Sequence, residues 1–166
     1  CIDDPGVKSI ISKISRPIIT YGFSKEADYR ITEFQQKAGQ IEFRVTRPER
    51  NRPLKIKLAM PGRHNALNAT AAVAIAADEG VSDKAIIQGI RGFAGVGRRF
   101  DVQGNFPIPG GEVTLIDDYG HHPSEVAATV DAFRSGWPDR RLVMVFQPHR
   151  YSRTADLYED LSLIHI

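Results

Sequence analysis

Two of three successive strand-like runs between Tyr29 and Leu58 alternate apolar with polar residues, and this period of two restricts the fold of that stretch more than any other feature. The runs are Tyr29 to Phe34, Ile41 to Thr46 and Leu54 to Leu58. In the second, Ile41, Phe43 and Val45 alternate with Glu42 and Arg44; in the third, Leu54, Ile56 and Leu58 alternate with Lys55 and Lys57. Such alternation predicts strands with one wet face. Short polar connections between them predict an antiparallel meander. Ile18 to Tyr21 reads as another strand. Before it, Val7, Ile10, Ile11 and Ile14 have helical spacing, with Asp4 as N-cap and Pro5 in the first helical position.

The period then changes. After the Pro61-Gly62 turn, nearly every residue from Ala69 to Ala77 is small and apolar. This predicts a helix to about Asp78, buried on all sides, with Gly80 just beyond its end. Ser82 is placed to cap a second helix, Asp83 to Arg91, with Ala85, Ile86 and Ile90 turned inward. Gly92, Gly95 and Gly97 break the regularity, which predicts a boundary between a domain over 1–97 and another over 98–166. Beyond it, Val113 to Ile116 reads as a strand, Pro123 to Phe133 as a helix and Leu142 to Phe146 as a continuous apolar strand. That order predicts a βαβ unit with a parallel sheet, and the chain as a whole is of the α/β class.

Composition narrows the function. A chain of 166 residues, 42% of them hydrophobic, can bury a sizeable core, which argues against wholesale disorder. The formal net charge of +2 gives no whole-chain case for a nucleic-acid partner. Arg47, Arg50, Arg52, Lys55 and Lys57 cluster against Glu49, but no aromatic residues are interleaved to stack bases, so a solvated hairpin is expected. Cys1 is the sole cysteine, so no internal disulfide can form. No apolar run approaches the ~18 residues of a membrane helix, and no membrane partner or signal peptide is expected.

Chemistry concentrates in two stretches. Asp117-Asp118-Tyr119-Gly120-His121-His122-Pro123-Ser124-Glu125 lies where a strand should give way to a helix. In open α/β sheets ligands bind at that edge. His122, Pro123 and Glu125 fit a capping pattern, which leaves Asp117, Asp118, Tyr119 and His121 to face a ligand. Asp117, Asp118, His121 and His122 also suit a metal site, and with it a metal-dependent hydrolase. The second stretch, Phe146-Gln147-Pro148-His149-Arg150-Tyr151-Ser152-Arg153-Thr154, follows the other expected strand. A right-handed crossover between parallel strands would bring both stretches to one sheet edge. Arg150 and Arg153 are spaced to clamp a carboxylate. Elsewhere, Asn65 and Asn68 lie three apart on one helix face, and each amide offers the donor and acceptor that match the N6/N7 edge of adenine. Asn65 is alternatively a helix cap. Arg98 and Arg99, at the boundary, can reach a phosphate or stay solvated. The chain contains no G-x-x-x-x-G-K-[ST] motif, so a phosphate cradle for ATP would lie elsewhere.

Taken in order, His64-Asn65-Ala66-Leu67-Asn68-Ala69, Gly97-Arg98-Arg99-Phe100-Asp101, Asp117 to Pro123 and Phe146 to Thr154 resemble the Mur ligase family, most closely its branch that adds L-alanine. The opening Cys1-Ile2-Asp3-Asp4-Pro5 suits a mid-chain stretch of that branch. The resemblance implies that residues 1–97 are the back half of a P-loop-type central ATP-binding domain with antiparallel strands. Residues 98–166 would then open a Rossmann-like C-terminal domain that binds the amino acid. It implies a bacterial cytoplasmic ligase of peptidoglycan-precursor synthesis. Such a ligase uses ATP and Mg²⁺ to activate UDP-N-acetylmuramate as an acyl phosphate, which the L-alanine amine attacks. By the same resemblance, Asn65 and Asn68 contact adenine, Arg99 meets the phosphates and Asp118 faces the nucleotide. Tyr119, His121, Arg150 and Arg153 surround the alanine, and Arg99 and His121 carry the catalytic roles. The phosphate loop and the magnesium ligands are not among these residues, and Ser162 to Ile166 do not resemble the family's continuation. The chain therefore reads as a piece of a longer enzyme, inactive by itself. The alternative is a non-catalytic nucleotide-binding segment.

Overall fold

The computed structural model describes residues 1–48 and 50–163. Glu49 of the basic cluster and residues 164–166 of the atypical C-terminal stretch lie outside them. The chain divides into two compact units, Cys1–Ala94 and Gly95–Ile166.

The first unit is built on a four-stranded sheet. Its elements are α1 (Pro5–Ile10), one 3₁₀ turn (Ile11–Lys13), β1 (Tyr21–Gly22), β2 (Tyr29–Lys37), β3 (Gln40–Arg47), β4 (Arg50–Leu58), α2 (Arg63–Asp78) and α3 (Asp83–Arg91). The sheet order is β1-β2-β3-β4. β2, β3 and β4 form the expected antiparallel meander, while β1 pairs with β2 in parallel. The alternation does what period-two patterning requires. Ile31, Ile41, Phe43, Val45, Leu54, Ile56 and Leu58 all point to one buried face. α2 packs on β1, β2 and β3, and α3 on β4.

The strand expected from Ile18 forms only at Tyr21–Gly22. One reason is that the Thr20 amide and hydroxyl both donate to Asp28 Oδ2, at 2.7 Å each, instead of to a ladder. Asp4 caps α1 as expected, accepting from the Val7 amide at 2.8 Å, but the α-helix stops at Ile10. The Ala-rich helix α2 is not buried on all sides. Asn65, Ala66, Ala69, Thr70, Val73 and Ala74 are buried, whereas Ile75 is 67% exposed. A helix on one sheet buries a single stripe. A run of alanines hides that stripe because both faces carry the same residue. α2 ends as expected: Val81 N–H donates to Ala76 O and Gly80 N–H to Ala77 O, with Gly80 at φ +74°. That is a complete Schellman closure. Ser82 caps α3, but of the three residues expected inward Ala85 is exposed, Ile86 buried and Ile90 half-buried against the core.

The second unit contains β5 (Asp101–Ile108), β6 (Gly111–Asp117), α4 (Pro123–Gly136), α5 (Tyr151–Asp156) and α6 (Tyr158–Leu163). β5 and β6 are an antiparallel hairpin closed by Pro109-Gly110, with Gly110 at φ +86°. Pro then Gly at positive φ is the residue order of a type II turn. β5 carries no legible period of two, because Gly104 at a register shift and Pro107 interrupt its alternation. The expected parallel strand Leu142–Phe146 does not form. A continuous apolar strand needs partner backbones at its edges and cover on both faces, and Val145 here is 95% exposed. Without that strand, residues 118–121 and 150–153 share no parallel-sheet edge among the described residues. No helix among the described residues is long and apolar enough to cross a membrane.

Candidate functional site

Several hydrogen bonds and ion pairs converge on the turn between β6 and α4. His122 is the N-cap of α4, with Nδ1 accepting from the Ser124 amide at 3.3 Å, and Pro123 takes the first helical position. Glu125 closes the capping box by accepting from His122 N–H at 3.1 Å. It also accepts from His121 N–H at 3.1 Å and from Arg99 Nη1 at 3.2 Å. Burial disfavours its charged form. The two backbone amides and the Arg99 guanidinium outweigh that and hold its carboxyl at about 2, against 4.5 for a free glutamate.

The two aspartates brace the turn around Arg98 and Arg99. Asp118 Oδ2 accepts from Phe100 N–H at 2.9 Å and Oδ1 from Gly120 N–H at 2.7 Å. Asp117 Oδ2 accepts from Arg98 Nε at 3.1 Å, and the Arg98 guanidinium lies 4.8 Å from the centre of the Tyr119 ring. Arg98 and Phe100 both take left-handed backbone conformations, at φ +59° and +50°. Such conformations persist only where surrounding contacts over-determine them. Phe100 supplies the hydrophobic anchor: its ring lies 4.7 Å from Phe133 and 5.9 Å from Trp137, centre to centre, and it is 7% exposed.

The two neighbouring histidines are set in opposite tautomers. His121 Nδ1 faces the Tyr119 carbonyl at 2.9 Å and Glu125 Oε2 at 3.8 Å. Both are acceptors, so Nδ1 carries the hydrogen and Nε2 of the neutral ring is the acceptor. His122 Nδ1 accepts from the Ser124 amide, which puts its ring hydrogen on Nε2. Tyr119 packs edge-on against His121, ring centres 5.2 Å apart, and remains exposed.

Arg150, the N-cap of α5 at φ +69°, and Arg153 line one open depression of about 310 Å³ together with Ser152, Asp156 and Leu157. Among the described residues no hydrogen bond or ion pair joins these arginines to Tyr119 or His121. In the first unit, Asn65 is buried and Asn68 exposed. Asn65 Nδ2 donates to Pro61 O at 2.7 Å, and Gly62, not Asn65, is the N-cap of α2. Asp117, Asp118, His121 and His122, the residues of the metal reading, are each engaged within the turn. Each has a different partner, and among the described residues no three His, Cys, Asp or Glu side chains converge to hold an ion. The Arg98–Asp117 and Arg99–Glu125 pairs were not legible in the sequence, because contacts across 19 and 26 residues leave no periodic signal.

A pH dependence follows. The folded-state carboxyl of Glu125 titrates lower than the unfolded one, so its stabilisation is complete above about pH 4.5 and is lost as pH falls from there through about 2. Denaturant unfolding of the chain and of its Glu125→Gln variant should show a stability gap at pH 6 that closes toward pH 2. A gap constant over that range would contradict the ionised network.

Residues 1–76 match the family model described as Mur ligase middle domain, and residues 98–164 the one described as Mur ligase, glutamate ligase domain. The UDP-N-acetylmuramate–alanine ligase of Thermotoga maritima is 26% identical at TM-score 0.69, over 89% of this chain and 36% of that one. A murein peptide ligase of Psychrobacter arcticus is 26% identical at TM-score 0.60, over 87% and 29%. MurF of Acinetobacter baumannii is 28% identical at TM-score 0.59, over 73% and 25%. The chain thus spans between a quarter and just over a third of the length of these structures.

Proposed function

Because the chain belongs to the Mur ligase family, we propose that it is part of an ATP-dependent ligase of peptidoglycan-precursor synthesis that joins L-alanine to UDP-N-acetylmuramate in the bacterial cytoplasm. The observation that carries the amino-acid assignment is the depression flanked by Arg150 and Arg153. Two guanidiniums on one concave surface complement a carboxylate, and planar bidentate pairing favours arginine for it.

In this reading residues 1–97 belong to the ATP-binding domain and 98–166 to the amino-acid-binding domain. A carboxylate oxygen of the muramoyl group attacks the γ-phosphorus of ATP, ADP leaves, and an acyl phosphate forms. The alanine nitrogen then attacks the acyl carbon, phosphate departs, and the amine gives up a proton. His121 Nε2, the acceptor in the tautomer its neighbours impose, is suited to take that proton. Arg99 balances charge on the transferred phosphoryl group, as positioned cations do in phosphoryl transfer. Asn65 and Asn68 contact the adenine, Asp118 keeps the Arg99 turn facing the nucleotide, and Tyr119 walls the alanine. Magnesium accompanies ATP. Among the described residues no three His, Cys, Asp or Glu side chains converge on an ion site.

Steady-state kinetics on the complete ligase carrying these residues test the assignment. Arg150→Ala should lower kcat/KM for L-alanine about 10–150-fold, the equivalent of one charge-assisted contact, and leave the KM for ATP within twofold. A rise confined to the KM for ATP overturns the clamp.

A further inference from the structure

We propose that Glu125 is a positioning residue for the ligation, holding Arg99 and the His121 turn in one arrangement through the two oxygens of a single carboxylate. The proposal rests on the roles given above to Arg99 and His121. A capping-box glutamate needs only its bond to the N-cap amide. Glu125 makes that bond, to His122 N–H, and two more that capping does not require. Oε2 also accepts from His121 N–H, and Oε1 accepts from Arg99 Nη1, a residue 26 positions earlier. The turn is packed down onto this side chain. A Cβ on Gly120 would lie in ordinary contact, 3.5 Å, with the Glu125 Cβ, and at 2.8 Å from Asp118 Oδ1, which would have to shift. Arg99 sits between two residues in left-handed conformations, and its guanidinium pairs with the Glu125 carboxylate at 3.2 Å. One side chain thereby sets the phosphate-facing cation and the loop that carries the amine acceptor.

A purely structural cap would stabilise α4 without touching substrate use, and kinetics separate the two roles. In the complete ligase, Glu125→Gln keeps the side-chain shape and one carbonyl acceptor but removes the charge. The KM values for ATP and for L-alanine should both rise about tenfold, the equivalent of one charge-assisted hydrogen bond. In an Arg99→Ala background the same change should add less than about threefold to the KM for ATP, because Glu125 acts on the nucleotide through Arg99. Both KM values within twofold of wild type, or an effect on ATP undiminished without Arg99, overturns the proposal. If the Gln variant does not fold, Glu125→Asp withdraws the charge by one methylene. It should raise both KM values less steeply, and unchanged values again overturn the proposal. The wild-type control separates the two failures. If wild type shows no alanine- and ATP-dependent phosphate release, the functional reading itself fails; if it turns over normally while the variants match it, only the role of Glu125 does.

Discussion

Replacing Phe100 with alanine should destabilise the second unit by about 3–5 kcal/mol, the usual loss for a buried phenylalanine cut back to a methyl group. The ring is 7% exposed and touches both Phe133 and Trp137, so the change removes one member of a three-ring cluster at the C-terminal end of α4. The consequence reaches beyond stability. Phe100 follows Arg99 directly and donates its amide to Asp118. Loss of the ring frees a backbone held at φ +50°, and with it the Arg99 turn. Phe100→Leu, which retains much of the apolar volume, should recover a substantial part of the loss. Thermal and denaturant unfolding of the three proteins provide the measurement. An alanine variant within about 1 kcal/mol of wild type would show that the aromatic cluster does not hold this unit together.

The second large effect is expected in the first unit. Arg47, at the end of β3, places its guanidinium against Asp83, in the first turn of α3, through two bonds of 2.7 and 2.9 Å. The arginine side chain is 4% exposed, and its Nε has no partner among the described residues. Asp83→Ala therefore strands a buried cation and should cost about 3 kcal/mol, toward the lower end for a broken buried pair because Asp83 itself is half exposed. Asp83→Asn retains hydrogen bonding without the charge and should cost less. The hydrogen bond to Arg47 outweighs burial and holds the Asp83 carboxyl below its usual 3.8. The contribution is thus present above that value and lost in acid as the carboxyl protonates. Urea unfolding of both variants at pH 7 reads the difference. Equal stability of Asp83→Ala and wild type would mean that the pair contributes nothing and that solvent reaches Arg47.

Local chemistry was legible in the residues themselves. The alternation of Ile41, Phe43 and Val45 with Glu42 and Arg44 specified both a strand and its buried face, since side-chain direction in a strand depends only on parity. Asp4 before Pro5, Ser82 before Asp83, Gly80 after Asp78, and His122-Pro123 with Glu125 marked helix ends, because capping is a matter of residues three or four apart. The blocks around Asn65, Arg99, His121 and Arg150 were also enough to point to the family whose models match residues 1–76 and 98–164.

What required tertiary structure were the pairings between distant segments. Residues 142–146 have the composition of a buried strand, yet a strand exists only where another backbone meets its edge, and composition does not supply that partner. The wet stripe on α2 was hidden by alanine on both faces and appears only once a sheet covers one of them. β5 became visible through its register with β6, across a glycine and a proline that had broken its pattern. At the candidate site, the residue types were evident, but the joining of Arg99 to Glu125 and of Phe100 to Asp118 was not. Those bonds depend on where the hairpin returns the chain, and helix and strand periodicity reports only on neighbours within a turn or a pleat.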